Sequence, residues 1–386
     1  MTRKKIAILL SRFPFPLDKG DKLRAYHQIK FIAQYHDVYL YALTEGNIAD
    51  EWLNELKPYC REVKIYTLNK WQIFMQSCLA ICKGYPLQVG YFFNPFIKKL
   101  IQQDITQVKP DTIYCQLSRM ALYANDLPYR KVIDFQDAFS MNYARIQKQE
   151  NGIKKVFYAW ESKRMQAFEK LMLQWFDACT IISAFDKANI SIQPNKLEVV
   201  ANGVDNNYFK PMQTDKKYDI LFLGNLSYLP NQNAVQYLVE KIMPLLIQRK
   251  ANIKVNIAGG STLSENSRMN TPQINYSGWV KDSRVAYAET VLFVAPLFTG
   301  AGLQNKLLEA MSMGIPCIAT SIANASLHAK PNEEIMIADD AVAFVDCIMY
   351  LLENEEKRRQ LQVNAAKFIQ DNYSWDSVNQ RLLACL

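Results

Sequence analysis

Two glycines, a lysine and a glutamate fall close together in residues 297–320, LFTGAGLQNKLLEAMSMGIPCIAT. Gly300 and Gly302 have no β-carbon, so the backbone there can bend tightly and approach a ligand closely. The helix that the spacing predicts next offers unpaired N–H groups and the positive end of its dipole, an anion site made of backbone. Lys306 and Glu309 are three residues apart and share a face of that helix. A cation placed for a diphosphate and a carboxylate able to accept two hydroxyl hydrogen bonds suit a nucleotide sugar, with Lys306 at the phosphates and Glu309 at the ribose. The same pair on an exposed helix would be an ordinary ion pair worth a few tenths of a kcal/mol. What favours the ligand is the pair of glycines and the buried-strand runs on either side, VLFVAPLF and PCIAT.

Such a group must be held at the end of a strand, and the chain supplies strands in the right rhythm. The first half alternates KIAILL, DVYLYAL, EVKIYTL, DTIYCQ, KVIDFQ and DACTIIS with helical segments, the first from about residue 22 to 35. Short apolar runs separated by helices predict an α/β fold with parallel strands covered on both faces. The second half repeats the plan with YDILFLG, a helix through 235–246, KVNIAGG, QINYSGWV, VLFVAPL and PCIATS. A length of 386 residues fits two domains, and we read 1–205 and 206–373 as two Rossmann-like domains joined through 206–219. Ligands of open α/β sheets lie at the carboxyl ends of the strands. Two such domains facing each other would form a cleft, and the glycine-lysine-glutamate group follows a strand as that arrangement requires.

The 297–320 segment resembles the donor-binding motif of the retaining glycosyltransferases of family four (glycosyl transferases group 1), which have the GT-B fold. It is most similar to sugar transferases of bacterial exopolysaccharide systems, whose version reads GIQNKVLEAMA. The likeness extends through SRFPFPLDKGDKLRAYHQIKFIA, DFQDAFSMNY, NGVDNNYFKP, LFLGNLSYLPNQNAVQYL and NYSW. It implies metal-independent, retaining transfer of a sugar from a UDP-, GDP- or similar nucleotide sugar to a hydroxyl. The acceptor would be a lipid-linked or growing saccharide in surface polysaccharide assembly, and the nucleotide sugar a substrate, so no cofactor is expected. The resemblance gives donor contacts to Gly300, Gly302, Leu303, Gln304, Asn305, Lys306 and Glu309. It adds Gly224 and Asn225 after the first strand of the second domain, and Trp279 and Val280 beside the nucleobase. It also implies that the last helix, from about 374 to 386, crosses back onto the first domain. Two departures stand out. Ala301 occupies the place where many relatives carry a second glutamate, and the GNLSYLPNQN loop lacks the arginine and lysine that often grip phosphate. Lys306 and the helix amides are left with that task. A nucleotide-sugar epimerase or a non-catalytic nucleotide-sugar-binding protein of the same fold remains an alternative. A dinucleotide-dependent dehydrogenase is disfavoured because no GxGxxG follows either domain's first strand.

In the first domain the FPFPLDKGDKLR loop offers Gly20 for close approach, with Lys22 and Arg24 adding charge near a helix start, all expected to face the acceptor or the cleft. DFQDAFSMNY follows a strand and supplies Gln136 and Asp137. Asp137 could orient the acceptor hydroxyl as a catalytic group, or cap the next helix. Ser183 and Asp186 form a Ser-x-x-Asp pattern of the capping-box type, favoured here over a ligand contact. Asn202 opens an Asn-Gly turn at the domain exit, structural or cleft-lining.

Charge is uneven. Residues 1–200 hold 28 Lys and Arg against 19 Asp and Glu, a balance of +9, while residues 201–386 hold 17 against 18, a balance of −1. A basic first half points to an anionic counterpart such as a membrane leaflet or a phosphate-bearing acceptor. Residues 70–103 interleave Trp71, Phe74, Met75 and Phe96 with lysines, a composition suited to peripheral contact with anionic lipid as well as to core packing. No nucleic-acid motif accompanies the charge. The eight cysteines show no zinc-type spacing and the three histidines are scattered, so no metal site is expected. No apolar run reaches the roughly 18 residues of a membrane span, and no signal peptide is read, so the expected location is cytoplasmic, at most against the inner face of the membrane.

Overall fold

The computed structural model of the chain describes residues 2–190, 196–260, 271–299 and 302–386. The first half runs β1 (Lys5–Leu10), α1 (Gly20–Tyr35), β2 (Asp37–Thr44), α2 (Asp50–Leu56), β3 (Glu62–Thr67), α3 (Lys70–Lys83), α4 (Leu87–Phe92), α5 (Pro95–Val108), β4 (Thr112–Gln116), α6 (Ala121–Ala124), β5 (Arg130–Asp134), α7 (Phe139–Gln149), α8 (Gly152–Trp175), β6 (Ala178–Ile181), α9 (Ala184–Ile190) and β7 (Leu197–Val199). The second half runs β8 (Tyr218–Leu223), α10 (Leu229–Tyr237), α11 (Met243–Arg249), β9 (Val255–Ala258), β10 (Ile274–Gly278), α12 (Ser283–Ala288), β11 (Thr290–Ala295), α13 (Asn305–Ser312), β12 (Cys317–Ala319), α14 (Ser321–Asn324), β13 (Met336–Ile337), α15 (Ala341–Glu353), α16 (Glu355–Tyr373) and α17 (Trp375–Cys385).

Two compact units emerge, Met1–Ala201 with Val378–Leu386, and Asn202–Ser377. Their limits lie four residues from those read in the sequence at both crossings, since Asn202 to Asp205 and Ser374 to Ser377 count with the second unit.

In the first unit, seven parallel strands among the described residues lie in the order β3-β2-β1-β4-β5-β6-β7. The sequence KIAILL explains why β1 is central. It is apolar at consecutive positions, and its two faces enter different cores: Ala7 and Leu9 join one, Ile6, Ile8 and Leu10 the other. A strand buried on both faces has no use for polar alternation. Leu382 of α17 and the terminal Leu386 complete the second of these cores, and the Leu386 carbonyl accepts from Thr112 Oγ1 at 2.8 Å. The last helix is therefore part of the first unit's core.

The second unit repeats the scheme with six parallel strands in the order β10-β9-β8-β11-β12-β13 among the described residues. In each sheet the order reverses beside the first strand, between β1 and β4 and between β8 and β11, which opens a crevice at the carboxyl ends there. The helix after β8 departs from the single run expected over 235–246. It starts at Leu229 and passes through a π-helical turn, Leu238–Ile242, before α11. Pro244 has no N–H for the carbonyl four residues back, so regular α-helical bonding cannot continue through it.

Candidate functional site

The crevice between β8 and β11 collects the second unit's chemically distinctive residues. β8 ends at Leu223, and Gly224 follows with its N–H on the Ala258 carbonyl at 3.0 Å. A β-carbon at Gly224 would stand 2.9 Å from Asn231 Nδ2 and 3.2 Å from Lys306 Nζ. Asn231, on the first turn of α10, donates Nδ2 to the Asn225 carbonyl at 2.8 Å and accepts from Lys306 Nζ through Oδ1. The ammonium also lies 5.3 Å from the centre of the Phe222 ring. Gly259 approaches even more closely: with φ 144°, its β-carbon would fall 1.7 Å from the Gly224 carbonyl oxygen. Only glycine permits those two turns to meet.

Lys306 and Glu309 are both half-buried on α13, whose opposite face places Leu307, Leu308, Ala310 and Met311 in the core. Amphipathic spacing thus leaves the two charged groups at the crevice. Glu309 Oε2 accepts from the Tyr287 hydroxyl at 3.1 Å, which also reaches the Lys306 carbonyl at 3.2 Å. Burial lowers the Lys306 pKa to about 8, against the pull of Glu309. Burial likewise raises Glu309 to about 7, opposed by the Tyr287 hydroxyl and Lys306. In both residues loss of solvent outweighs the neighbouring charge, so each lacks full compensation from the protein. A crevice holding an under-compensated cation and carboxylate is equipped for a ligand that carries phosphate and hydroxyl groups.

The other positions expected at the donor have separate settings. Gly302 and Leu303 lead into α13, Gln304 is its N-cap residue and donates Nε2 to the Gly302 carbonyl at 2.9 Å, and Asn305 starts the helix. Asn305 Oδ1 accepts from Asn202 Nδ2 at 3.5 Å, which brings Asn202 to the same loop. Gly300 and Ala301 lie outside the described residues. Asn225 turns its Oδ1 back onto Ser227 N and Oγ, at 2.9 and 2.6 Å, so its side chain shapes the loop. Trp279 is 73% exposed after Gly278, which has φ 63°, and Val280 is half-buried. Sequence reading gave no role to Tyr287 or Phe222. Neither stands in a recognisable spacing with Lys306, and only the fold brings them together.

In the first unit the residues separate. Arg24 is 1% exposed and committed: Nε and Nη2 bind Asp134 at 2.6 and 3.3 Å, and Nη1 and Nη2 donate to the Ala201 and Val200 carbonyls at 2.9 and 2.8 Å. Asp134 also accepts from the Tyr114 hydroxyl at 3.1 Å and Thr180 Oγ1 at 2.9 Å. Arg24 departs from the expected acceptor contact, because each edge of its guanidinium is already occupied inside the core. Lys22, two residues earlier on α1, pairs with Asp18 at 2.9 Å and lines a cavity of about 190 Å³ with Arg12 and Lys19. Gly20 opens α1, and a β-carbon there would meet nothing within 4 Å. Gln136 is buried with φ 61°, and its Nε2 has no hydrogen-bond partner among the described residues. Asp137 is exposed just before α7, whose N-cap is Ala138, so it is not that helix's cap residue. Although the residue reaches solvent, protein atoms crowding its carboxyl, then the Asp186 charge, push its pKa up to about 6. Ser183 and Asp186 bond each other and start α9 as a capping pair.

Two parallel doubly wound units, each with its crevice beside the first strand, define the GT-B class. Solved structures share the arrangement along the chain. Sucrose-phosphate synthase from Thermosynechococcus elongatus superposes with a TM-score of 0.67 at 14% identity, covering 99% of this chain and 98% of that one. Anabaena HepE in complex with UDP-glucose gives 0.65 at 14% identity and covers 100% of both. Residues 217–354 match the family model described as glycosyl transferases group 1. The chain has the GT-B fold, and within its second unit residues 217–354 are similar to glycosyl transferases group 1. An uncharacterized 44.6 kDa protein in the cps region of Klebsiella pneumoniae is 25% identical over 391 residues, covering 96% of each chain.

Proposed function

We propose that the chain is a retaining glycosyltransferase that moves a sugar from a nucleoside diphosphate donor to a hydroxyl during assembly of a bacterial surface polysaccharide. The observation that carries this reading is the meeting of Gly224, Asn231, Lys306 and Glu309 at the β8–β11 crevice. Support for the donor class comes from HepE, solved with UDP-glucose, and for the setting from the relative in a cps region. In the reaction the bond between the sugar's anomeric carbon and the bridging oxygen breaks. The acceptor hydroxyl oxygen forms the new bond on the same face and gives its proton to the departing phosphate. Negative charge grows on the leaving diphosphate, and Lys306 with the first amides of α13 would answer it without a bound metal, as charges fixed in advance. Glu309 would hold the ribose hydroxyls. Gly302, Leu303, Gln304, Asn305, Gly224 and Asn225 would shape the phosphate loop, with Trp279 and Val280 beside the base. On the acceptor side we assign Asp137 to orienting the hydroxyl, with Gln136, Gly20, Lys22 and Asn202 as further contacts.

Isothermal titration with UDP, GDP and ADP, followed by nucleoside diphosphate release from the matching donors with and without EDTA, tests the reading. We expect binding of one nucleotide, weakened on Lys306→Ala by less than turnover is, together with EDTA-insensitive release. Failure of all three nucleotides to bind would remove the donor site, and a changed free sugar released without acceptor would indicate an epimerase.

A further inference from the structure

Two helices of the first unit turn apolar faces to solvent. On α3, Trp71, Phe74 and Met75 are 77%, 65% and 55% exposed, and Leu79 and Ile81 continue the same side. Most apolar side chains of this helix point outward; its buried residue is Ala80. Ordinary amphipathic helices place these groups inward. α8 begins the same way: Ile153, Val156, Phe157 and Trp160 recur at i, i+3, i+4 and i+7 and all are exposed, Ile153 at 89%. The two helices are joined. The Arg164 guanidinium lies 3.8 Å from the Trp160 ring and donates to the Ile81 and Tyr85 carbonyls at the end of α3.

Charge around the surface has one sign. Residues 70–103 contain no aspartate or glutamate, and neither do 151–160. Lys70 and Lys83 bracket the α3 face, Lys99 follows on α5, Lys154 flanks the α8 stripe, and Lys155 is the next residue round that helix. These five lysines form no ion pair among the described residues. Exposed tryptophan and phenylalanine framed by unpaired lysines match a surface with an apolar interior and an anionic skin. We propose that α3 and the first turns of α8 dock the protein on an anionic lipid bilayer, with the apolar side chains inserted and the lysines at the headgroups. Neither cations nor aromatics alone would suffice: the lysines draw the protein to the leaflet, and insertion holds it there. No helix among the described residues is long and apolar enough to cross a membrane, so this contact would be peripheral. The inference rests on surface residues alone and stands apart from the donor-site reading.

Co-sedimentation of the full chain with vesicles tests it. With phosphatidylcholine vesicles containing roughly 30 mol % phosphatidylglycerol, binding should exceed that to pure phosphatidylcholine by roughly tenfold or more and weaken as salt rises. Removing two inserted rings by the double substitution Trp71→Ser and Phe74→Ser should lower partitioning by roughly tenfold or more. Lys154→Glu with Lys155→Glu should abolish the preference for anionic vesicles. Thermal melting confirms that each variant folds, and titration with UDP separates loss of lipid binding from loss of the donor site. Equal partitioning of wild type and the Trp71/Phe74 variant would overturn the proposal. So would a wild-type dimer in light scattering that the same substitutions dissociate, since the face would then belong to a second copy.

Discussion

Replacing Lys306 with alanine removes the one cation that α13 brings to the β8–β11 crevice. Its ammonium is held by the Asn231 amide oxygen and the Phe222 ring, both uncharged, and the Glu309 charge only partly offsets its burial. At about 4 Å from a phosphate oxygen, in the effective dielectric of about 20 suited to a half-buried group, one unit charge contributes about 4 kcal/mol. The ground-state diphosphate already enjoys part of this, and only the increase as the leaving group departs accelerates the reaction. Removal of a preorganised charge donor of this kind lowers kcat by roughly 10²–10³-fold. We expect that loss for Lys306→Ala, with a smaller decline in UDP affinity.

The pH dependence gives an independent check. Burial places the free lysine's pKa at about 8, and only the protonated form attracts a diphosphate. UDP affinity should therefore decline as pH rises through 8, approaching roughly tenfold per pH unit above it. Binding raises the lysine pKa, so complex formation above pH 8 takes up a proton. In Lys306→Ala the decline should vanish. Titration calorimetry across pH 6.5–9.5 in two buffers of different ionisation enthalpy reads both affinity and proton uptake, the range spanning about 1.5 units on either side of the pKa. A variant with kcat within about threefold of wild type, or an unchanged alkaline slope, would refute the assignment.

Three further outcomes follow from the same geometry. Glu309→Gln should weaken nucleotide binding yet stabilise the fold. The native pKa of about 7 lies above the ordinary value of 4.5, so the wild-type residue loses stability as pH rises from 4.5 through 7. The variant should then melt higher at pH 8, by on the order of 1 kcal/mol, and no differently below pH 4.5 in thermal or urea melts. Arg24→Met leaves the Asp134 carboxylate buried without its cation and should cost about 3–5 kcal/mol, seen as a lower urea midpoint; an unchanged midpoint would remove the pair from the core. Gly259→Ala drives a methyl group into the Gly224 carbonyl and should destabilise by more than about 3 kcal/mol or prevent soluble expression, whereas Gly20→Ala, with open space around it, should melt like wild type.

The strands were legible because each central one is buried on both faces and reads as an unbroken apolar run, as KIAILL and TVLFVA do. The α13 motif was legible because its glycines, lysine and glutamate all fall within ten residues of sequence, 300–309. Tyr287 was not, since it reaches Glu309 from α12 and its own neighbourhood, SRVAYA, reads as ordinary helix. The α8 stripe shows what periodicity leaves open. Ile153, Val156, Phe157 and Trp160 have the periodicity of a core face, and periodicity records that a helix has an apolar side without saying what covers it. Within 70–103 the aromatics look alike in sequence, yet Phe92 is core while Trp71 and Phe96 are exposed.

Arg24 and Lys306 show why residue type near a helix start does not decide function. Both are cations beside the carboxyl ends of parallel strands, and both sit next to a carboxylate in space. Arg24 has Asp134 on one edge and two backbone carbonyls on the other. An incoming anion would have to displace bonds already made, and Asp134 would repel it. Lys306 has one neutral amide oxygen and an aromatic face, and Glu309 spends an oxygen on the Tyr287 hydroxyl. An incoming diphosphate there gains a charge-assisted bond and displaces no ion pair. The distinction rests on how many partners the fold has already supplied: a saturated cation holds the protein together, and an under-satisfied one is left for the substrate.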